Sequence, residues 1–154
     1  MSSSSQTYPF TAFNFSVEIL QGSNLVCDAA FAECDGLEVS MDIKTIREGG
    51  NNDQQVRLAG PHTFGTLSLK RGMTSASDLW AWVAASVANP SLRLDARVVL
   101  HGSTPNGSAL ARFELSRCLP QKMKAPSLNA KDGMVAIEEL QMAYESLKFF
   151  PGGS

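Results

Sequence analysis

The sequence predicts a mainly β fold, an antiparallel two-sheet sandwich or distorted barrel with one flanking α-helix. Several segments alternate apolar and polar residues with the period of two that is typical of strands with one buried face. Only one segment has the spacing of an amphipathic helix. Strands that follow one another without intervening helices favour antiparallel sheets. The pattern leaves the sandwich and the barrel both open.

The length and composition of the chain are those of a single domain. The 154 residues are 44% hydrophobic and 18% charged, which suits a single core, so residues 1–154 are predicted to form one domain. The net charge of -2 and the pI near 5.6 give no basic field that would attract a phosphate backbone. Nucleic-acid binding by this chain alone is therefore not expected.

The first third of the chain predicts three strands after a flexible arm. Residues 1–10 are rich in Ser and are expected to be mobile in isolation. Phe13 to Ile19 alternate as a strand does, and residues 26–34 form a weaker second strand. The clearest strand covers residues 37–44, where the apolar side chains face one way and the polar side chains face the other.

The next segment, residues 48–61, is predicted to be a long loop because it is polar and rich in Gly and Asn. A loop of this length within a compact domain is usually functional or disordered. The alternation then resumes, with Leu67 and Leu69 directed inward from a further strand.

Residues 76–88 are predicted to be the helix. Ser75 can cap its amino end, Asp78 lies in the first turn, where an anion is favoured, and Asn89-Pro90 ends the helix. An apolar stripe at helical spacing is expected to lie on a sheet: Leu79, Trp82, Val83 and Val87.

The remaining strands follow the helix. Residues 94–100 and 109–116 alternate on either side of a Pro-Asn-Gly turn and predict a hairpin. The last predicted strand, residues 134–148, shifts its alternation by one residue near Glu138 and Glu139, as a β-bulge or a change of packing environment would cause. Residues 149–154 are predicted to be a flexible tail, although its two Phe residues need an apolar partner.

No motif indicates catalysis, so the chain is not expected to be an enzyme. There is no Gly-x-Ser-x-Gly elbow, and the Gly-Asn run at residues 49–52 lacks the Lys-Ser/Thr ending of a phosphate-binding loop. The His and Cys residues are too dispersed for a structural zinc site, and no cofactor or metal is expected.

The expected compartment is the cytoplasm. Cys27, Cys34 and Cys118 are odd in number with no Cys-x-x-Cys pair, which predicts three reduced thiols. The amino terminus lacks the charged and apolar regions of a secretory signal, and no stretch approaches the ~20 apolar residues of a membrane helix. Insertion into a membrane by this chain is therefore not expected.

Four segments, in this order and spacing, resemble the tube proteins of contractile phage tails and related injection systems. They are residues 35–39, residues 47–52, residues 69–72 leading to the Asp-Leu-Trp-Ala-Trp run at 78–82, and residues 126–130 before the strand at 137–140. The resemblance extends from about Phe13 to Leu147.

The resemblance implies a structural subunit of an inner tube. Tube proteins of this family are expected to form homohexameric rings that stack inside a contractile sheath, with each sheet joining its neighbours in a ring-wide β-barrel around a lumen. The implied partners are further copies of the chain, the sheath protein, the baseplate or tube-initiator proteins and the tube terminator, with cargo or DNA in the lumen. Assembly in the bacterial cytoplasm, as part of a phage tail or an injection particle, is also implied.

The predicted loop at residues 48–61 is the candidate contact between stacked rings. Its charged residues could set the register through ion pairs, each contributing about 0 to 1 kcal/mol, and Leu58 could add apolar burial. The expected ring-stacking residues are Arg47, Glu48, Gly49, Gly50, Asn51, Asn52, Asp53 and Leu58.

Two alternative functions remain open at this point. One is a baseplate-proximal tube initiator of the same family, which would have the same fold. The other is a monomeric small β-barrel that binds a ligand in its interior. The sequence also leaves open whether the particle is a phage, an extracellular injection system or a cell-anchored one.

Overall fold

A computed structural model of the chain describes residues 14–47, 55–73, 77–102, 109–128, 130–131 and 136–152. These residues form ten strands and one helix. In chain order the elements are β1 (Asn14–Gln21), β2 (Asn24–Ala30), β3 (Glu33–Asp35), β4 (Val39–Arg47), β5 (Gln55–Phe64), β6 (Thr66–Gly72), α1 (Asp78–Ala88), β7 (Leu94–His101), β8 (Ala109–Lys124), β9 (Ile137–Ala143) and β10 (Ser146–Pro151).

The fold is mainly β, as predicted, and all its strand pairs are antiparallel. The strand order is β2-β1-β7-β8-β9-β6-β3, with β10 also paired to β8, while β4 and β5 form a separate two-stranded sheet. The strands of the described residues do not close into a barrel. Instead, β8 belongs to two sheets that face each other. Its first half lies in the first sheet with β1, β2, β7 and β10, and its second half lies in the second sheet with β3, β6 and β9.

Strand β8 changes sheets at a bulge. Ala96 pairs with Leu115 and Leu94 pairs with Cys118, so Asp95 lies opposite two residues of β8. One of them, Arg117, has a φ of 55°, and its backbone N–H donates to Asp95 Oδ1 at 3.2 Å. A bulge sharpens the local twist and bend of a strand, and the carboxylate satisfies the N–H that the bulge leaves unpaired.

The core lies between the inner faces of the two sheets and is covered by α1. The alternating strands supply it as the sequence predicts, with Val17 and Ile19 from β1 and Leu67 and Leu69 from β6 fully buried. The other buried members are Cys27, Phe31, Leu79, Trp82, Leu94, Ala96, Val98, Leu115, Cys118, Leu140, Met142 and Tyr144.

The predicted long loop is wrong from residue 55 onward. Residues 48–54 lie outside the described residues, but Gln55–Phe64 is the strand β5, which pairs with β4 from Val39↔Phe64 to Arg47↔Gln55. The polar and Gly-rich composition of residues 48–61 concealed this strand, because Val56, Leu58 and Ala59 are their only apolar residues apart from Gly and Pro.

The helix is confirmed; it begins at Asp78, two residues later than predicted, and ends at Ala88 as predicted. Its N-cap is Ser77, and the predicted cap Ser75 lies outside the described residues. Leu79 and Trp82 are buried as expected, whereas Val87 is 78% exposed and Ser86 is buried instead. In the last turn of the helix, therefore, Ser86 rather than Val87 faces the sheets.

The predicted phase change near Glu138 and Glu139 is wrong. Strand β9 pairs with β6 in unbroken register from Ile137 to Ala143. Glu138 lies on the buried face with Leu140 and Met142, while Ile137 is exposed. The buried carboxylate of Glu138 interrupts the alternation of polarity in the sequence. The side chains of β9 nevertheless continue to alternate between the two faces without a shift. The actual break falls at Tyr144 and Glu145, between β9 and β10.

The predicted flexible tail is also partly wrong. Phe149, Phe150 and Pro151 belong to β10, which pairs with β8, and residues 1–13, 153 and 154 lie outside the described residues. Phe149 packs against Phe113 with ring centroids 5.0 Å apart, and the Arg112 guanidinium lies 4.6 Å from the centre of the Phe150 ring. Phe149 thus has an aromatic partner, and Phe150 has a cation–π contact with Arg112.

Candidate assembly surface

The β4–β5 hairpin is the part of the described chain least covered by the rest. Its strands pair only with each other. Every residue of β4 is exposed, and so is most of β5. Among its described residues, only Phe64 at the end of β5 packs against the core. The hairpin therefore depends on its base for its orientation.

Tyr144 holds the base of the hairpin to the body. The Tyr144 hydroxyl oxygen lies 2.7 Å from the Gly36 carbonyl oxygen and 3.1 Å from the Glu38 carbonyl oxygen. The Glu38 N–H donates to the Tyr144 hydroxyl oxygen at 3.1 Å. Burial raises the pKa of the Tyr144 hydroxyl. The Gly65 N–H adds a hydrogen bond of 3.1 Å to the Glu38 carbonyl.

Gly36 is required where the chain enters β4. It has a φ of 106°, and a Cβ placed there would lie 1.9 Å from the Thr66 carbonyl oxygen. Only glycine combines this backbone conformation with such a close approach. The root of the hairpin is therefore determined by backbone sterics as well as by hydrogen bonds.

A second close approach lies within the hairpin. Met41 pairs with His62 and Ile43 with Ala59, so Asp42 faces both Gly60 and Pro61 at a bulge in β5. A Cβ on Gly60 would lie 2.7 Å from the Asp42 carbonyl oxygen. The bulge also accommodates Pro61, which cannot donate to a regular ladder.

Exposed apolar side chains form two patches on this hairpin. The root patch consists of Val39, Met41 and Ile43, and the tip patch consists of Ile46, Val56 and Leu58; all six are between 39% and 55% exposed. Six such side chains on one hairpin form an apolar surface of the kind that usually marks an interaction site.

The two patches lie on opposite faces of the hairpin. Successive residues of a strand point to opposite faces, and directly paired residues share a face. Ile43 pairs with Ala59, whereas Ile46 pairs with Val56, three residues further along β4. An odd spacing places Ile46 on the face opposite to Ile43, and Leu58 joins Ile46 there because it lies two residues from Val56.

The sequence-predicted stacking residues are only partly described. Arg47 ends β4 opposite Gln55 and is exposed, and Leu58 lies in the tip patch. Arg47 and Leu58 are on opposite faces of the hairpin, so a single flat partner surface cannot contact both. Glu48, Gly49, Gly50, Asn51, Asn52 and Asp53 lie outside the described residues, and their role in stacking remains a prediction.

Five of the six patch residues, all except Leu58, were not among the stacking residues named from the sequence. Alternation in residues 37–44 indicated one buried face, and the structure leaves Val39, Met41 and Ile43 exposed instead. Ile46 could have been noticed, because it occupies a position where the preceding alternation places polar residues. A strand with apolar residues on both faces suggests burial on both sides.

A buried cluster of charged side chains holds the helix α1 against the strands β6 and β9. Arg71 of β6 donates from Nε to Glu138 Oε1 at 2.6 Å and from Nη2 to Asp78 Oδ1 at 2.7 Å. Trp80 Nε1 donates to Glu138 Oε2 at 3.1 Å. The guanidinium also lies 5.4 Å from the centre of the Phe31 ring. The cluster thus connects β6, β9 and α1.

The electrostatics of the cluster suit permanent charge pairing. Burial alone would raise the pKa of the Asp78 carboxyl, but hydrogen bonds from Arg71 and Cys27 hold it below its usual range. Burial opposes the charged form of Arg71, yet its hydrogen bonds with Asp78 and Glu138 raise its pKa overall. Both groups therefore stay ionised at neutral pH.

The cysteines of the chain have no features of activated nucleophiles. All three are free thiols, and burial raises each pKa to about 12. Reactive cysteines instead have a lowered pKa and some exposure. Their chemistry is consistent with packing.

Comparisons with known proteins identify the family. The model of the T4-like virus tail tube protein gp19 family matches residues 11–148. The chain belongs to this tail tube protein family. A comparison with curated proteins gives no match.

Solved structures similar to this tail tube protein include a chain of an extracellular contractile injection system. A chain in the anti-feeding prophage (AFP) baseplate has a TM-score of 0.81 at 25% identity, covering 95% of this chain and 98% of that one. A chain in the sheath–tube complex of the PVC extracellular contractile injection system has a TM-score of 0.77 at 20% identity, covering 98% and 99%. Hcp1 from Flavobacterium johnsoniae has a TM-score of 0.55 at 15% identity, covering 91% and 97%.

These matches bear on the fold of the tail tube protein throughout its described length. They agree with a mainly β architecture in which one helix flanks antiparallel sheets. Within the described residues, no helix is both long and apolar enough to cross a membrane.

Proposed function

We propose that this tail tube protein is a non-catalytic subunit that forms homohexameric rings, and that the rings stack into the inner tube of a contractile phage tail or injection particle. The observation that carries the proposal is the exposed β4–β5 hairpin with apolar patches on opposite faces. A hairpin covered on both sides is a natural arrangement between two neighbouring subunits.

The two patches have different roles in this proposal. The root patch lies beside the body and contacts the neighbouring copy in the same ring, where the sheets join in a ring-wide β-barrel. The end of the hairpin enters the next ring, which contacts the tip patch on one face of the hairpin, Arg47 on the other face, and residues 48–53 between the two strands. Full burial of an exposed large apolar side chain contributes about 1.5–3 kcal/mol, so covering these side chains, which are 39% to 55% exposed, contributes roughly half of that for each one. A ring contains several copies of each contact.

The remaining partners follow from the proteins that the chain resembles. The similar structures include a sheath–tube complex, a baseplate and a tube-terminating cap, so the sheath protein, baseplate or initiator proteins and a terminator are proposed partners. Cargo or DNA is proposed to pass through the lumen. Assembly is proposed to take place in the bacterial cytoplasm. The initiator alternative has no better support from these comparisons.

Electron microscopy of the purified protein, with its mass in solution recorded on the same sample, tests the proposal. We expect six-membered rings or hollow tubes for the wild type. Ile43→Asp in the root patch should prevent ring formation, and Leu58→Asp in the tip patch should leave rings that do not stack. Ser40→Asp is the matched control, because it adds the same charge to the hairpin outside both patches.

Two results would count against the proposal. A wild-type protein that remains monomeric at high concentration, even with baseplate components added, would favour the small binding barrel instead. Tubes that form equally well in Ile43→Asp, Leu58→Asp and Ser40→Asp would show that the hairpin patches are not the assembly contacts. Circular dichroism of each variant separates loss of assembly from loss of folding.

A further inference from the structure

Charged residues are separated by sign between two sides of the subunit. The segment that contains β2 and β3, residues 24–35, has three acidic residues and no Lys or Arg. All three are exposed. They define the acidic edge: Asp28, Glu33 and Asp35.

The opposite sign is found on β10 and on the second half of β8. Residues 118–125 and 146–151 contain three Lys residues and no Asp or Glu. All three are exposed. They define the basic edge: Lys122, Lys124 and Lys148.

The strand order places the two edges on opposite sides of the molecule. In the order β2-β1-β7-β8-β9-β6-β3, the strands of the acidic edge are the two ends and β8 is the middle strand. Only Phe31 and Ala32 separate β2 from β3, so the two ends lie next to each other along the chain. Strand β10 pairs directly with β8, and so the basic edge lies three strands away from either end.

Charges between the edges are neutralised within the subunit. On one sheet Glu18, Arg97, Glu114 and Lys148 are successive cross-strand partners, with Arg97 Nη1 lying 3.4 Å from Glu18 Oε2. Cross-strand pairs of opposite charge stabilise a sheet.

The other sheet has a second row of the same alternation. Glu33, Lys70, Glu139 and Lys124 are successive partners, and Lys70 Nζ lies 3.3 Å from Glu33 Oε2. Both rows begin with an acid and end with a lysine. The lysine of each row lies on the basic edge.

Asp28 breaks this alternation at the acidic edge. Its cross-strand partner is Glu18, a residue of the same charge. Like charges directly opposite each other destabilise a sheet, and no ion pair joins Asp28 to a base among the described residues. A basic group from outside the chain would relieve this repulsion.

We propose that the acidic edge of one copy docks against the basic edge of the next, and that this head-to-tail contact closes the ring. The inference rests on the proposed function, because it names the surfaces through which copies meet laterally. Two different surfaces on opposite sides make a heterologous interface, which generates a closed ring when the rotation between copies is right. Complementary charge also steers the approach and excludes the wrong orientation, since acidic against acidic edges repel.

Charge reversal on one edge at a time tests the contact. The acidic-edge variant is Asp28→Lys/Asp35→Lys, and the basic-edge variant is Lys124→Glu/Lys148→Glu. Glu33 is left unchanged because it pairs with Lys70 within the subunit, and Lys122 is left unchanged so that each variant carries two reversals. Since Lys124→Glu and Lys148→Glu each place a carboxylate opposite Glu139 or Glu114, circular dichroism must show that this variant folds. Each variant alone presents the same sign on both edges, so we expect it to need at least about tenfold more protein for half-maximal ring formation.

An equimolar mixture of the two variants should restore the rings. Copies with two basic edges can alternate with copies that have two acidic edges, and an even-numbered ring accommodates that alternation. Native mass spectrometry should then find rings with equal numbers of each variant. The matched control keeps every charge, with Asp28→Glu/Asp35→Glu/Lys124→Arg/Lys148→Arg expected to assemble like the wild type.

The outcomes separate the two proposals. If the wild type forms rings and either single-edge variant forms them at the same concentration, the edge contact is refuted while the proposed function stands. Two folded variants that fail alone and also fail as a mixture would likewise refute pairing by charge. If the wild type forms no rings under any condition, the proposed function fails, and the edge contact fails with it.

Discussion

Replacement of Glu138 by Ala should destabilise the folded subunit more than any other change of a single carboxylate in β9. The side chain is 2% exposed, and its carboxylate binds both Arg71 and Trp80. Removing it leaves a buried indole N–H without its acceptor and Arg71 with only Asp78 as a carboxylate partner. Breaking a buried ion pair in this way costs about 3–5 kcal/mol, and the remaining Asp78 contact favours the lower end.

The expected loss can be converted into a melting temperature. For a chain of this length, each kcal/mol lowers the midpoint of thermal unfolding by roughly 2–4 °C, so a loss of about 3 kcal/mol corresponds to roughly 6–12 °C. Differential scanning calorimetry or circular dichroism at dilute, unassembled protein would measure it. Glu139→Ala is the matched control, because Glu139 is the next residue of the same strand and its carboxylate lies on the solvent face.

Two results would refute this reasoning about the buried cluster. One is an equal decrease in melting temperature for Glu138→Ala and Glu139→Ala. The other concerns pH. Since the pKa of Asp78 is lower in the folded state than in the unfolded state, its contribution is complete above pH about 4 and is lost as pH falls through the folded value. An Asp78→Asn variant should therefore show a weaker loss of stability over this acidic range than the wild type, and an unchanged pH profile would contradict the pairing.

Three further predictions concern the hairpin root and the thiols. Gly36→Ala should destabilise the subunit more than Gly22→Ala, because a Cβ on Gly36 would overlap the Thr66 carbonyl oxygen. No atom lies within 4 Å of a Cβ on Gly22, so there only the positive φ has a cost, of about 1–2 kcal/mol. Chemical unfolding of both variants measures the difference. Tyr144→Phe should keep the ring but lose the hydroxyl contacts, costing about 1–2 kcal/mol and speeding hydrogen exchange in β4 and β5 more than in β7. Equal acceleration in all three strands would argue against a local anchor. The three cysteines should resist alkylation at pH 8 in the native protein and react fully in denaturant, and rapid native labelling of any of them would contradict the raised pKa values.

Local alternation predicted the strands that line the core, because the two-residue period has a direct physical cause there. Val17 and Ile19, or Leu67 and Leu69, are buried for the same reason that they alternate with polar residues. The helix was equally accessible, since its stripe and its Asn89-Pro90 end are local signals. Only its last turn differed, where Ser86 rather than Val87 faces inward.

The errors arose where a distant residue decides the environment. Glu138 disturbed the pattern of β9 because its partner Arg71 is 67 residues away, and no local pattern reveals such a pairing. Strand β5 was hidden because it is stabilised by pairing with β4 and contributes little to the core. The exposure of Val39, Met41 and Ile43 could not be predicted from the sequence for the same reason. The sequence of a strand alternates in the same way whether its apolar face packs on the core of its own chain or on another chain.

Because the hairpin residues from Val39 to Thr63 that are described take no part in the core cluster, the subunit is modular. Substitutions in that segment can alter which neighbour is accepted with little effect on folding of the body, while substitutions in the body must preserve packing. The choice of neighbouring subunit can therefore change during evolution while the fold of the subunit is preserved. Such freedom is in keeping with a fold that superimposes on an AFP chain at a TM-score of 0.81 while only 25% of residues are identical.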